Sequence, residues 1–312
     1  MQKDTRQWIS WITLAALAVI WGSSFILIKK SLIYFTGVEV GLLRVTITFL
    51  FLLPIAIKKI QSISLKEAFL LFVAGLIGSF IPAFMFAIAQ TGINSSLAGT
   101  LNSLTPLFTL LLGLLFFRQK TRWFNVAGVI IGLVGALGLI NQNGGHDFSF
   151  NFSYAALIII ATICYAFNVN FIKVYLKNLD AMTITSFTFF FIGIPTLLYV
   201  LIFSGIPTKL IEHNENLTGL VYVSILSVVG TGLAMIAFNN LIKVNSPLFA
   251  SSVTYIIPIV AVIWGIIDGE VFAMLDIVWF LMILGGVFLV NAHPRRPGNI
   301  SSYVLFRRNR KI

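Results

Sequence analysis

An arginine inside an apolar run is the residue in this sequence best placed to do chemistry. Arg44 stands about six residues into the apolar stretch 38–57, ~9 Å from its end at 1.5 Å per helical residue. A guanidinium at that depth is expensive in lipid and normally faces a cavity or a partner. Its planar fork suits a carboxylate or another anion. Glu39 lies five positions earlier, on a different helical face, so it is no natural partner within the helix. The bland alternative is that Arg44 snorkels outward or bonds backbone carbonyls.

Lys29 and Lys30 end the first apolar stretch; snorkelling accounts for one of them and leaves the other able to face a pathway. The remaining polar candidates are uncharged: Ser24, Gln90, Asn102, Asn168, Asn170, Asn239 and Tyr255. Amides donate and accept, which suits a polar solute leaving water. Trp21, Tyr165 and Trp264 offer aromatic walls or a surface for a cationic amine. Each of these residues has an ordinary alternative use in bonding between helices or packing at the membrane interface. The set says more than its members.

Absences narrow the chemistry. There is one cysteine, Cys164, so no disulfide within the chain and no thiolate metal cluster is expected. His146, His213 and His293 fall in polar connectors without metal-ligand spacing. No Asp, Glu or His stands near the middle of an apolar stretch, where proton-driven carriers place a titratable group. No cofactor is expected.

The elements that must position these residues are membrane helices. The chain has 312 residues, of which 58% are hydrophobic and 10% charged, with a mean hydropathy of +0.99. Soluble domains carry about 25% charged residues. Stretches of about 20 apolar residues span a bilayer as helices, and ten occur: 9–28, 38–57, 67–88, 97–117, 123–140, 154–172, 183–203, 217–238, 248–267 and 274–291. Short polar turns over 90–96 and 239–247 are expected to separate the third from the fourth and the eighth from the ninth. The first stretch is too long for the core of a signal peptide.

Basic residues set the orientation. With the N-terminus inside, 17 Lys and Arg fall in cytoplasmic segments: Lys3, Arg6; Lys58, Lys59, Lys66; Arg118, Lys120, Arg122; Lys173, Lys177; Lys243; and Arg295, Arg296, Arg307, Arg308, Arg310, Lys311. Only 3, Lys29, Lys30 and Lys209, fall outside. This positive-inside bias places both termini in the cytoplasm. It also explains the net charge of +11 without nucleic acid as a partner. The expected partners are the lipid bilayer and a small polar metabolite.

Ten spans divide into five and five, residues 1–145 and 146–312, and an odd number per half inverts one half against the other. A shift of 152 residues pairs Gly78 with Gly230, Phe86 with Phe238, Ala98 with Ala250, Pro106 with Pro258 and Gly113 with Gly265. A shift of 144 pairs Ile28, Lys29 and Leu32 with Ile172, Lys173 and Leu176. Inverted repeats suit alternating access, and matched Gly and Pro interruptions point to the site and its moving parts. Those are Gly78, Pro82, Pro106, Gly230, Gly232 and Pro258, with Pro106 and Pro258 expected to kink helices near mid-membrane.

Trp21-Gly22-Ser23-Ser24-Phe25 followed by Lys29 and Arg44 resembles the opening of the EamA family in the drug/metabolite transporter superfamily. Leu104-Thr105-Pro106-Leu107, Gly230-Thr231-Gly232, Ile257-Pro258 and Gly269-Glu270 resemble its later motifs in order and spacing. In the first half, Phe117-Arg118-Gln119 stands where that family usually has Gly-Glu. The resemblance implies an all-α polytopic fold of ten helices with a cavity lined by helices 1–4 and 6–9, and helices 5 and 10 peripheral. It implies Glu270 as a helix-cap or loop residue. It implies a plasma-membrane carrier, not an enzyme, whose solutes include amino acids and similar small polar metabolites; nucleobases, cofactors and drugs are the alternative solutes. A lipid-modifying enzyme would want clustered His, Asp or Ser–base pairs, and a channel a selectivity loop; the sequence offers neither.

Overall fold

A computed structural model describes residues 2–60, 63–117, 123–143, 148–245, 250, 252–271 and 273–291. Among these residues the structure is helical and contains no strand. The helices are α1 (Gln2–Ser31), α2 (Gly37–Lys59), α3a (Leu65–Gly75) and α3b (Ile81–Ala89), α4a (Ser95–Asn102) and α4b (Thr105–Phe117), and α5 (Trp123–Asn143). They continue with α6 (Phe148–Tyr175), α7 (Ala181–Ile202), α8a (Asn216–Ser227) and α8b (Ala234–Val244), α9 (Ile257–Ile267) and α10 (Met274–Asn291). Among the described residues eight helices are long and apolar enough to cross a membrane; α9 and α10 are shorter apolar helices. Large apolar side chains such as Ile130, Leu201, Ile263 and Phe288 are exposed on the outside, which lipid accepts and water would not.

The helix starts follow from local sequence. Thr36 and Glu39 form a reciprocal capping box at α2, and Ser64 and Glu67 form another at α3a. Asp180 and Asn94 cap α7 and α4a by accepting from Thr183 N–H and Leu97 N–H. The turn expected over 239–247 begins later: Asn239 and Asn240 are helical, and α8b runs to Val244. Asn239 points inward from the helix, and its amide Nδ2 donates to Thr185 Oγ1 on α7, 3.0 Å away. A short helix not foreseen from hydropathy, Ile206–Glu212, lies between α7 and α8a.

Interruptions recur at equivalent places. α3a passes into α3b through a π-turn over Leu76–Phe80, and α8a into α8b through one over Val228–Leu233. The fourth and ninth spans are broken rather than kinked. Leu104 N–H bonds Leu101 O at 3.0 Å, and Ile256 N–H bonds Val253 O at 3.2 Å, tight turns at matching positions of the two repeats. Pro106 is the second residue of α4b, and Pro258 stands in the first turn of α9. At a helix start the missing N–H would be unpaired in any case, so each proline opens a new segment instead of bending an old one.

α5 and α10 pack on each other through small residues. A Cβ on Gly286 would lie 2.5 Å from Gly132 N and 2.6 Å from Gly128 O, so the two backbones touch. Neither helix reaches the central cavity, which leaves that space to the other eight spans.

Candidate functional site

The eight spans enclose a cavity of about 1090 Å³, the open space at its mouth included. Trp21, Ser24, Phe25 and Ile28 of α1 line it, and so do Tyr165, Asn168, Val169 and Ile172, their repeat counterparts on α6. Gly78, Ser79, Ala83 and Phe86 of the third span face it, as do their counterparts Gly230, Thr231, Met235 and Phe238 of the eighth. Asn102 and Thr105 are matched in the same way by Thr254 and Ile257, and Val45 by Phe189. The shifts that align the sequence thus also relate the two halves of the wall.

Arg44 carries the single formal charge among the described lining residues. Its Nε–H donates to Thr231 Oγ1 at 2.9 Å, and Tyr165 is a near neighbour of its guanidinium on the wall. Among the described residues no carboxylate pairs with it; Glu39 instead takes Lys209 at 2.5 Å. Three amide oxygens on this wall, Asn102 Oδ1, Asn168 Oδ1 and Asn239 Oδ1, are buried and accept no hydrogen bond among the described residues. Buried acceptors left unpaired cost about 1–3 kcal/mol each; these oxygens are closed off in this arrangement, so a guest's donors reach them only when the amides turn toward the cavity. Aromatic rings complete the wall: Trp21 meets Phe238 edge-on at 4.9 Å, and Tyr165 stacks on Phe86 at 5.9 Å. The site therefore offers one cation for an acid group, amide side chains that can turn toward N–H or O–H donors, and apolar surface for a hydrophobic body.

Of the residues singled out from sequence, Trp21, Ser24, Arg44, Asn102, Tyr165, Asn168 and Asn239 line the cavity, with Gly78 and Gly230. Asn170 points elsewhere and donates to Ala166 O and Thr109 O at 3.0 and 3.2 Å. Gln90, at the end of α3b, is buried away from the cavity wall. Trp264 is exposed, its Nε1–H on Ser23 Oγ at 2.8 Å. Pro82, Pro106, Gly232 and Pro258 are not among the described lining residues; the side chain of Tyr255 lies outside the described residues. Thr231, Thr254 and Phe189 were missed from sequence. The repeat register was the signal for Thr254, which matches the candidate Asn102.

Lys29 belongs to a second polar cluster, at the face where α1 ends. Its Nζ is 2.8 Å from both Asp268 Oδ2 and Glu270 Oε1, and Lys30 pairs with Asp268. Glu270 also accepts from the N–H groups of Ser95 and Ser96 at 2.9 and 3.0 Å, and from Ser96 Oγ at 2.6 Å. It thus caps α4a from the other half of the chain while holding α1. Burial would push the Glu270 carboxyl up, but Lys29, Ser96 and the two N–H groups outweigh it and hold it below the usual carboxylate range. Hydrogen bonds from Lys29 and Lys30 hold Asp268 low as well. At the opposite face Lys173, the repeat counterpart of Lys29, donates to Ile242 O at 3.2 Å, a carbonyl where Lys29 has carboxylates.

This two-fold plan has a match among known sequences. The EamA-like transporter family matches residues 8–141 and again residues 152–292. The chain belongs to the EamA-like transporter family. It is 30% identical over 289 residues to the uncharacterized inner membrane transporter YedA of Escherichia coli K12, covering 89% of each chain. It is 25% identical over 294 residues to the uncharacterized transporter YdfC of Bacillus subtilis, covering 92% of each. An uncharacterized transporter of Archaeoglobus fulgidus is 23% identical over 283 residues, 90% of this chain and 98% of its own. One solved crystal structure superposes with a TM-score of 0.60 over 90% of this chain and 95% of its own at 15% identity, which shows a shared fold. As an EamA-like protein the chain is a multi-pass α-helical membrane protein, and two family matches in one chain agree with the paired wall of the cavity.

Proposed function

We infer that this EamA-like chain carries amino acids or similar small polar metabolites across a bacterial-type inner membrane, as an exporter or facilitator working by alternating access. The observation that supports this most is Arg44. It is a fixed cation without a carboxylate partner among the described residues, in a cavity lined also by Asn102, Asn168 and Asn239, whose amide oxygens are buried and unpaired among those residues. A carboxylate on Arg44 with an ammonium or amide on the Asn oxygens satisfies both at once. A cationic solute without an acid group would meet Arg44 unscreened.

On this reading residues 1–145 and 146–312 are inverted repeats that exchange shapes across the cavity. Gly78 and Gly230 serve the moving π-turns, joined by Pro82 and Gly232. Pro106 and Pro258 open the mobile half-helices. The cluster of Lys29, Asp268 and Glu270 closes the outer face, and the charge asymmetry puts both termini in the cytoplasm. Reporter fusions at Asn143 and at the C-terminus should therefore signal from opposite sides; same-side signals defeat this orientation. The transport claim is tested by solute exchange in proteoliposomes with the standard L-amino acids. A carrier saturates and counter-flows, a channel does not saturate in this way, and an enzyme consumes its solute.

A further inference from the structure

The π-turn of the eighth span is gripped by the other half of the chain. Within the turn Gly230 O accepts from Trp21 Nε1 at 2.9 Å; just ahead of it Leu226 O accepts from Thr231 Oγ1 at 3.1 Å, and Ser227 O shares the Thr48 Oγ1 proton, at 3.0 Å, with Arg44 O at 2.7 Å. Thr231 Oγ1 in turn accepts from Arg44 Nε at 2.9 Å. Two of the donors, Trp21 and Thr48, and Arg44 itself come from α1 and α2. The third span shows no charged equivalent. Its π-turn glycine, Gly78, is packed by the Asn168 amide, and the repeat counterpart of Arg44 is Thr188, whose hydroxyl stays on its own helix at Thr185 O.

A π-turn takes in an extra residue and rotates the downstream helix by about 100°, the advance of one α-helical residue. The downstream helix here is α8b, which carries Met235, Phe238, Asn239 and Ile242 on the cavity wall. The state of this one turn thus decides which side chains α8b shows to the cavity. Arg44 touches both the turn and the cavity. A carboxylate taken side-on by a guanidinium uses Nε–H together with one Nη–H, and Nε–H is the donor that Thr231 now holds.

We propose that Arg44 is the coupling element: an acid group captured by its guanidinium displaces Thr231, loosens the π-turn and lets α8b rotate. Thr231, Trp21 and Thr48 are positioning residues in this scheme. The proposal rests on the reading that Arg44 receives the solute's acid group, but the grip itself is testable without any solute.

The experiment measures the distance between spin labels at Lys58→Cys and Asn240→Cys in a Cys164→Ser background; both sites are exposed. Without solute, Thr231→Val, which loses both the bond from Arg44 and the bond to Leu226 O, should add a second distance population, moving the ratio of states roughly thirtyfold, the size expected for two lost hydrogen bonds of about 1 kcal/mol each. Thr231→Ser, which keeps the hydroxyl, should match the unsubstituted protein. Trp21→Phe, which loses the bond to Gly230 O while keeping an aromatic ring beside Phe238, should shift the ratio the same way and serves if Thr231→Val does not fold. Unchanged distances in both variants overturn the grip. A mixture of standard L-amino acids should then move the unsubstituted protein toward the Thr231→Val distribution. Thermal stabilisation by amino acids without that movement overturns the coupling and spares the transport reading. No stabilisation by any amino acid, with the Thr231→Val shift present, overturns the solute assignment and the coupling built on it, and leaves only the grip.

Discussion

Alanine at Gly78 should be far more harmful than alanine at its counterpart Gly230. A Cβ on Gly78 would stand 1.9 Å from Asn168 Nδ2 and 2.3 Å from its Cγ, whereas a Cβ on Gly230 would stand 2.9 Å from Ser24 Oγ. Carbon contacts settle near 3.5–4.0 Å, so Asn168 must leave its place, while the Ser24 hydroxyl needs only a small rotation. Overpacking of this kind costs about 1–3 kcal/mol, and removing a helical glycine returns about 1 kcal/mol. Gly78→Ala should therefore lose up to about 2 kcal/mol, and Gly230→Ala should be close to neutral. Asn168→Ser installs the residue that the first half uses against Gly230, and it should relieve the clash. The double variant should be more stable than the sum of the singles by about 1–3 kcal/mol. The assay is thermal unfolding of the purified protein, at about 2–4 °C of midpoint per kcal/mol. Transport should stay low in the double variant, because the Asn168 amide oxygen is gone from the wall. Strict additivity of the two substitutions, or greater harm from Gly230→Ala, refutes the reasoning.

The ends and the breaks of the bundle carry two further expected outcomes. Glu270→Gln should lower stability by about 1–3 kcal/mol and raise thiol labelling at the face where α1 ends. Because the Asp268 and Glu270 carboxyls are held low, their contribution is present above the ordinary carboxylate pKa of about 4. It is lost as pH falls through the lowered values. The midpoint should hold steady down to about pH 5 and fall below about 4, with a smaller fall in Glu270→Gln; a loss that starts near pH 6 would contradict the assignment. Pro106→Ala and Pro258→Ala should each extend a helix across its break and shift thiol accessibility at the two mouths in opposite senses. Shifts of the same sense make both prolines packing features.

The spans were legible in the sequence because each is a long apolar run, and the cavity's plan was legible through two shifts, 144 and 152. Those shifts put Trp21 against Tyr165, Ser24 against Asn168 and Gly78 against Gly230 before any coordinates are considered. The direction of each polar side chain was less legible. A helix that is apolar all round has no amphipathic face to phase against, so Asn168 and Asn170, two residues apart, read alike, although one faces the cavity and the other bonds Thr109 O and Ala166 O. The π-turns shift the helical phase within the third and eighth spans, which hides Gln90 and Thr231 from any fixed-period reading. The prolines were legible as interruptions but not as helix starts, since the tight turns at Leu104 and Ile256 carry no residue type that marks them. Glu270 was legible as a cap, yet the helix it caps lies 174 residues away at Ser96, a pairing set by the fold alone.

Counter-flow in proteoliposomes with an L-amino acid and its carboxamide tests the central claim most directly. The two differ only in the acid group that Arg44 is assigned to take. The account predicts saturable exchange of the amino acid, little exchange of the carboxamide, and loss of that preference in Arg44→Ala, with Arg44→Lys weakened because lysine lacks the planar fork. Equal exchange of the two solutes, or unchanged preference in Arg44→Ala, would contradict it.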